Sequence, residues 1–357
     1  MTSTQEAFLK ELIETPAVSN YEENVQRLWR SAVEPFADSI EVSGHGNNIA
    51  TLKGSQDISI LIVGHSDEIG LIIRYINSDG FIYVSRVGGV DPTILPSHRV
   101  RILSSKTGTT ILGVCGRTAP HQMRGDEGGS KKITYSDVWI DIGAKTREEA
   151  ESLVAVGDVI IYGEGYERLH GTRATARCFD NCIGIYIVAE VMKNLHARRA
   201  ELKATVYGVS SVQEETGVWG AGQAGYHVNP TLAIALDVTP STDSPGISKE
   251  LWGQVDVSKG AVISRGIRNN RKISDLMIKT ATEKSIPFQI EVDNGATSTD
   301  ADPISQARSG IPIGVLSPAT RYLHSSVEVL DLEDIDHCVN LLTEFILKLD
   351  GSMDFRP

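Results

Sequence analysis

The sequence predicts an α/β protein whose chain is interrupted by a β-rich insertion. Three observations carry this. Short apolar runs at 58–63, 232–236 and 313–316 have the length and composition of strands buried on both faces. Helical periodicities alternate with them, at 184–195, near 220–226, at 273–283 and at 332–348. From about residue 71 to residue 162 the pattern changes to short β-type runs with almost no helical period.

The elements follow in order. Phe8, Leu9, Leu12 and Ile13 form the apolar stripe of a first helix, which Pro16 closes. Ser19 with Glu22 three residues later reads as a capping box for a second helix, whose stripe includes Val25, Leu28 and Trp29. Strands and turns alternate from about 40 to 63. The insertion reads as strands at 71–76, 80–87, 99–103, 109–114, 137–142 and 159–162, with one helical stretch at 146–154. Strands of this length and spacing predict a small β-barrel or sandwich. The polar, Gly-rich stretch 118–132 reads as a mobile loop, and its His121, Asp126 and Glu127 lack a strand scaffold to hold them as a site. After Gly163 the β/α alternation resumes, with strands at 204–209, 232–236, 288–291 and 313–316. The expected organisation is one discontinuous α/β catalytic domain, 1–70 and 163–357, with an inserted β-rich domain at 71–162. No phosphate loop or dinucleotide fingerprint occurs.

The 357 residues are 41 % hydrophobic and 22 % charged, which suits a soluble chain with a sizeable core. Lys and Arg number 34 against 46 Asp and Glu, for a net charge of −12. That balance argues against nucleic acid or an anionic membrane as partner. The N-terminus lacks a basic and then apolar leader, and no run reaches a membrane span, so a cytoplasmic location is expected. Cys115, Cys178, Cys182 and Cys338 show no C-x-x-C pair and read as reduced thiols, the middle two as small buried groups near a strand end.

The chemistry gathers at strand ends. Val212-Gln213-Glu214-Glu215-Thr216-Gly217 places two adjacent carboxylates after a strand, and neighbouring charges must be solvated, paired or put to use. The 58–63 run leads into Gly64-His65-Ser66-Asp67-Glu68, the 232–236 run ends at Asp237, and the 313–316 run is followed by His324. Open α/β sheets bind ligands outside the carboxyl ends of their strands. His65, Glu214, Glu215, Asp237 and His324 are therefore expected on one rim, and Asp180, just before a helical pattern, is a further candidate. Each has a plainer reading alone: a core histidine, helix caps, a loop histidine, a solvated acidic pair. Together they form a donor set suited to Zn2+, Co2+ or Mn2+. Asp300 and Asp302, after a Ser/Thr-rich loop, either line the pocket or form a turn, and the turn is the favoured reading.

The ordered motifs Gly64-His65-Ser66-Asp67-Glu68-Ile69-Gly70, Phe179-Asp180-Asn181, Val212 to Gly217, Asp237-Val238-Thr239 and Arg321-Tyr322-Leu323-His324-Ser325 resemble the tetrahedral-aminopeptidase family, also called glutamyl-aminopeptidase-like. The resemblance runs through nearly the whole chain. It implies a mixed-sheet, zinc-exopeptidase-like metallopeptidase domain and two divalent ions per subunit, zinc first, with cobalt or manganese as alternatives. By the same resemblance Asp180 bridges the ions, His65 and Asp237 hold one, and Glu215 and His324 the other. Glu214 is the general base toward a water between them, and Asp67 orients the His65 ring. The insertion is expected to mediate dimer contacts within a homo-oligomer, a tetrahedral dodecamer. The implied activity is removal of N-terminal residues from small peptides. One departure stands out: Asn181-Cys182 follows the bridging carboxylate where the family often has Asp-Arg. An amide or N-acyl hydrolase using the same site, and a non-catalytic scaffold, are the competing readings.

Overall fold

The structure, a computed structural model, describes residues 1–122 and 132–356. Helices α1 (Ser3–Glu14) and α2 (Glu23–Val33) open the chain and are followed by strands β1 (Ser39–Val42), β2 (Asn48–Leu52) and β3 (Ser59–His65). A barrel comes next, from β4 (Gly70–Ile76), β5 (Ile82–Val87), β6 (Arg99–Leu103), β7 (Thr110–Gly116), β8 (Trp139–Asp141) and β9 (Val159–Tyr162), with α3 (Arg147–Leu153) before its last strand. The chain then forms β10 (Glu167–Arg168), β11 (Arg173–Ala176), α4 (Phe179–Ala197), β12 (Thr205–Ser211), α5 (Trp219–Val228), β13 (Leu232–Leu236), β14 (Thr239–Pro240), α6 (Lys249–Trp252) and β15 (Ala261–Ser264). It ends with α7 (Arg271–Lys284), β16 (Phe288–Glu291), α8 (Ala301–Ser305), β17 (Ile313–Ser317), β18 (Ala319–Thr320), β19 (Glu328–Asp331) and α9 (Leu332–Lys348).

Eight strands make one mixed sheet in the order β1-β2-β12-β3-β13-β17-β15-β16. The central strands β12, β3, β13 and β17 are parallel, so their carboxyl ends share one edge. Side-chain alternation along β3 divides the core. Ile60 and Ile62 join the apolar layer under α4, α9 and the N-terminal helices, while Leu61 and Val63 join the layer under α5 and α8. Each such fully buried side chain stabilises the fold by about 1.5–3 kcal/mol. The buried Trp29 indole is satisfied as well as packed, donating to the Ile185 carbonyl at 2.8 Å.

The inserted strands close into a barrel, β4-β5-β8-β7-β6-β9, with a separate apolar core built on residues such as Ile73, Val84, Val100, Ile140 and Ile160. Thr146 caps α3, accepting from the Glu149 N–H at 3.2 Å. Of the expected 118–132 loop, residues 123–131, including Asp126 and Glu127, lie outside the described residues; His121 is exposed in a short 3-10 turn.

Two local expectations need correction. Ser19 does not cap the second helix: α2 begins at Glu23 without a side-chain cap, and the Ser19 hydroxyl donates instead to Asp67 at 2.6 Å. A buried carboxylate is the stronger acceptor, and tertiary contact overrides the local motif. The capping box lies one helix earlier, at Thr2 and Gln5. Three strands, β11, β15 and β19, are too short to show a period in the sequence, yet β15 pairs within the main sheet and β11 with β19. All four cysteines are buried and free, with the Cys178 and Cys182 sulfurs 3.6 Å apart. No helix among the described residues is long and apolar enough to cross a membrane.

Candidate metal centre

The parallel edge gathers the expected residues. His65 is the last residue of β3, Asp237 follows β13, and Glu214 and Glu215 lie just beyond β12. Adjacent residues on a strand point to opposite faces. Here the strand has ended at Ser211 and Gln213 turns the chain at φ +57°, so both glutamates reach one cavity. Asp67 holds that turn, accepting the backbone N–H of Glu214 at 2.9 Å and of Glu215 at 3.1 Å. His324 sits at φ +59° in the loop after β18. Asp180 precedes the regular turns of α4, with non-helical backbone at Asp180 and Asn181.

The distances are those of a shared cluster. His65 Nε2 lies 3.2 Å from Asp180 Oδ1, and 3.8 Å from both Asp237 Oδ1 and Glu214 Oε2. His324 Nε2 lies 3.2 Å from Asp180 Oδ2 and 3.4 Å from Glu215 Oε1. Two triads result, His65–Asp180–Asp237 and Asp180–Glu215–His324, each with ligand-type atoms within 4.8 Å of one another, and Asp180 is common to both. His65 Nδ1 is 3.0 Å from the Asp67 carbonyl and 3.3 Å from its carboxylate. With the proton on Nδ1, the Nε2 lone pair faces the cluster.

Charge balance shows what the cavity lacks. Burial pushes the Glu214 carboxyl up to about 8, with Asp300, Asp180 and Asp67 adding to it against His65. Burial and neighbouring carboxylates likewise hold Glu215 and Asp237 well above the ordinary range. Burial works against a charged His65 ring, yet Glu214, Asp180, Asp67 and Asp237 together raise its pKa well above the usual value. Burial opposes ionisation of Asp180 too, but the two histidines hold it well below the usual carboxylate range. No Lys or Arg lines the cavity of about 590 Å³ among the described residues. Such a cluster is short of positive charge and takes up protons or cations.

The supporting groups were less legible. Glu328, buried in β19, accepts the Asp180 N–H and the His324 N–H, each at 3.1 Å. Asn181 donates to the Leu236 carbonyl at 2.8 Å and accepts from the Gly184 N–H at 2.7 Å, tying Asp180 to the strand that ends beside Asp237. Of the two aspartates after the Ser/Thr-rich loop, Asp302 lies in the first turn of α8, lines the cavity and accepts from the Thr297 and Ser298 N–H groups. Asp300 is instead buried beneath the cluster and accepts from the Ser211 hydroxyl. The loop after β5 reaches the site as well: a Cβ on Gly89 would lie 2.4 Å from His324 Nδ1, so any larger residue there must displace the His324 ring.

Fold and site together define a class: an α/β enzyme with an acidic, histidine-bearing cavity at the carboxyl edge of a mixed sheet. A family model described as M42 glutamyl aminopeptidase matches residues 46–341, and the chain belongs to that family. It is 34 % identical to a lysyl aminopeptidase of Pyrococcus furiosus over 98 % of both chains. Among solved structures, it resembles the TET aminopeptidase of a marine-sediment Thaumarchaeota archaeon (TM-score 0.92, 31 % identity, 98 % of both chains). It also resembles the TET1 peptidase of Pyrococcus horikoshii (TM-score 0.84, 31 % identity, 97 % of this chain and 100 % of that one). The protein is thus an aminopeptidase, a hydrolase of peptide bonds.

Proposed function

We propose that this aminopeptidase is dinuclear and metal-dependent, and that it removes N-terminal residues from small peptides. The observation that carries the reading is Asp180, which turns one carboxylate oxygen to His65 and the other to His324. The donor set fits the group. It combines imidazole and carboxylate, which suit Zn2+, Co2+ or Mn2+, and it is divided into two triads about a common carboxylate. His65 and Asp237 would hold one ion, Glu215 and His324 the second, with Asp180 between them. Bound there, divalent ions supply Lewis acidity toward a peptide carbonyl and its attacking water.

The chain's own groups do the rest. Glu214 stands 3.8 Å from His65 beside the first triad, where its carboxylate would take a proton from the attacking water and return it to the leaving amine. Asp67 fixes the backbone of both glutamates while its carbonyl orients the His65 ring. Asn181 uses its amide on scaffold contacts, so its departure from the family pattern supplies no argument for a different substrate.

The relative from Pyrococcus horikoshii is described as assembling into a tetrahedron or a large octahedral shell. We infer a homo-oligomer here too, with the barrel at the contact. Leu112 and Val114 stand outward on β7, 58 % and 48 % exposed, as apolar side chains awaiting a partner surface. Relatives do not fix the residue removed, since the family description names glutamyl and the Pyrococcus furiosus enzyme lysyl substrates. Release of free amino acids from a peptide library, with and without chelator, tests the reading. Failure to release any with Zn2+, Co2+ or Mn2+ supplied overturns it.

A further inference from the structure

The cavity that holds the cluster extends past Asp237 along β14, β15, β16 and β17. Outside the cluster it is lined by three carboxylates. Asp302 has its oxygens committed to the Thr297 and Ser298 N–H groups. Glu291, at the end of β16, accepts the Thr239 hydroxyl at 2.6 Å and the Ser264 hydroxyl, which fix its position without neutralising it. Asp293 is half-buried two residues on. Neither Glu291 nor Asp293 pairs with a Lys, Arg or His among the described residues, and no Lys or Arg lines the cavity among them. Burial holds both carboxyls above their ordinary range, as it does for negative groups that lack a counterion.

An independent observation comes from β17, which lies across β15 from β16 in the same sheet. Ser317, the last residue of β17, is 1 % exposed, lines the same cavity, and its hydroxyl has no hydrogen-bond partner among the described residues. A buried polar group left unpaired calls for a partner. An ammonium group carries three N–H donors and one positive charge. Glu291, Asp293 and Ser317 offer that group three acceptor side chains and the opposite charge. The charge also discriminates: an acidic side chain meets like charge, and an apolar one leaves the two carboxylates without a counterion and the Ser317 hydroxyl without a partner.

We propose that Glu291, Asp293 and Ser317 form the pocket for the first side chain of the substrate and select a cationic, lysine-type residue. This rests on the aminopeptidase reading and deepens it. Glu291 is linked to the cluster through Thr239, two residues after Asp237, so the pocket and the reacting end share one rigid wall.

The test compares lysyl, norleucyl and glutamyl dipeptides on the metal-loaded enzyme. Norleucine matches the carbon chain of lysine without its charge. The lysyl substrate is expected to lead norleucyl in kcat/KM by about tenfold or more, with glutamyl slowest. In Glu291→Gln and Asp293→Asn, each checked for a native melting profile, the lysyl-to-norleucyl ratio should fall about tenfold. A wild-type preference for norleucyl or glutamyl, or a ratio that neither substitution moves, overturns the pocket assignment. Calorimetry with free L-lysine and L-norleucine reads the pocket without turnover. Tighter lysine binding by an enzyme that cuts nothing overturns the peptidase reading and supports the pocket. Equal binding of the two overturns the pocket itself.

Discussion

The Glu328 carboxylate accepts the backbone N–H of Asp180 at 3.1 Å, although 148 residues separate them. Its other oxygen accepts the N–H of His324, so one buried side chain positions the shared aspartate and a histidine of the second triad. Neither contact touches the side chain of a candidate ligand. Both set where those side chains start from, and small errors in that origin are amplified at the ligand atoms.

Replacing Glu328 with Gln keeps the shape but leaves only one oxygen to accept two N–H groups. Metal affinity is expected to fall about 10–100-fold, as it does when groups orienting ligands are lost. Competition with a chromogenic chelator measures it. Wild-type affinity in Glu328→Gln would show that the two backbone segments hold without it.

Glu214 and Glu215 are neighbours with different expected losses. Only Glu215 belongs to a triad, whereas Glu214 stands beside the first one. Glu214→Gln should retain its metal and lose about 10²–10⁴-fold in kcat, the usual scale for a general base. Glu215→Gln should lose metal from one position. Metal analysis after gel filtration, paired with turnover, separates the two. Full turnover in Glu214→Gln rules out its role as base.

The candidate ligands were readable because β3 and β13 are continuous apolar runs, so His65 and Asp237 mark where each strand ends. Glu214 and Glu215 were readable for the same reason. Their common orientation was not, because it depends on the positive φ at Gln213. Glu328 left no signal: its strand is four residues long, with every residue buried, and a single glutamate there shows no period. Ser19 shows the opposite error. A sound local motif gave way to a buried carboxylate that the sequence places 48 residues away. What reads off the chain is the scaffold of strand ends, and what does not is the network that long-range folding assembles behind them.

Acidity should stabilise the metal-free protein. Glu214 has a folded pKa of about 8 against an ordinary 4.5, so between those values the folded chain binds more protons than the unfolded chain. Glu215 and Asp237 shift the same way, and stability falls as pH rises through this window. His65, also raised, stabilises fully below its ordinary 6.5 and loses that contribution as pH climbs, which has the same sign. Asp180 is lowered; its contribution is present above 3.8 and is lost only in stronger acid. The melting temperature of chelator-treated protein should therefore drop from about pH 5.5 to about pH 8, and added Zn2+ should raise it more at the higher pH. A flat profile that Zn2+ shifts equally at both pH values contradicts the charge deficit.

Gly64 immediately precedes His65, where β3 crosses the start of α4. A Cβ there would lie 2.5 Å from the Gly184 carbonyl carbon and 2.7 Å from the Ile185 nitrogen. Both atoms are backbone, so no side chain can swing aside. Gly64→Ala must separate the strand bearing His65 from the helix bearing Asp180, whose facing atoms are 3.2 Å apart. Overpacking of this kind costs about 1–3 kcal/mol, and here it also spreads the triad. The urea midpoint should fall with unchanged m-value, and metal affinity should fall with it. Gly44→Ala is the control, since a Cβ at Gly44 meets nothing within 4 Å. Equal stability and metal content in the two variants would mean that β3 and α4 do not set the His65–Asp180 distance.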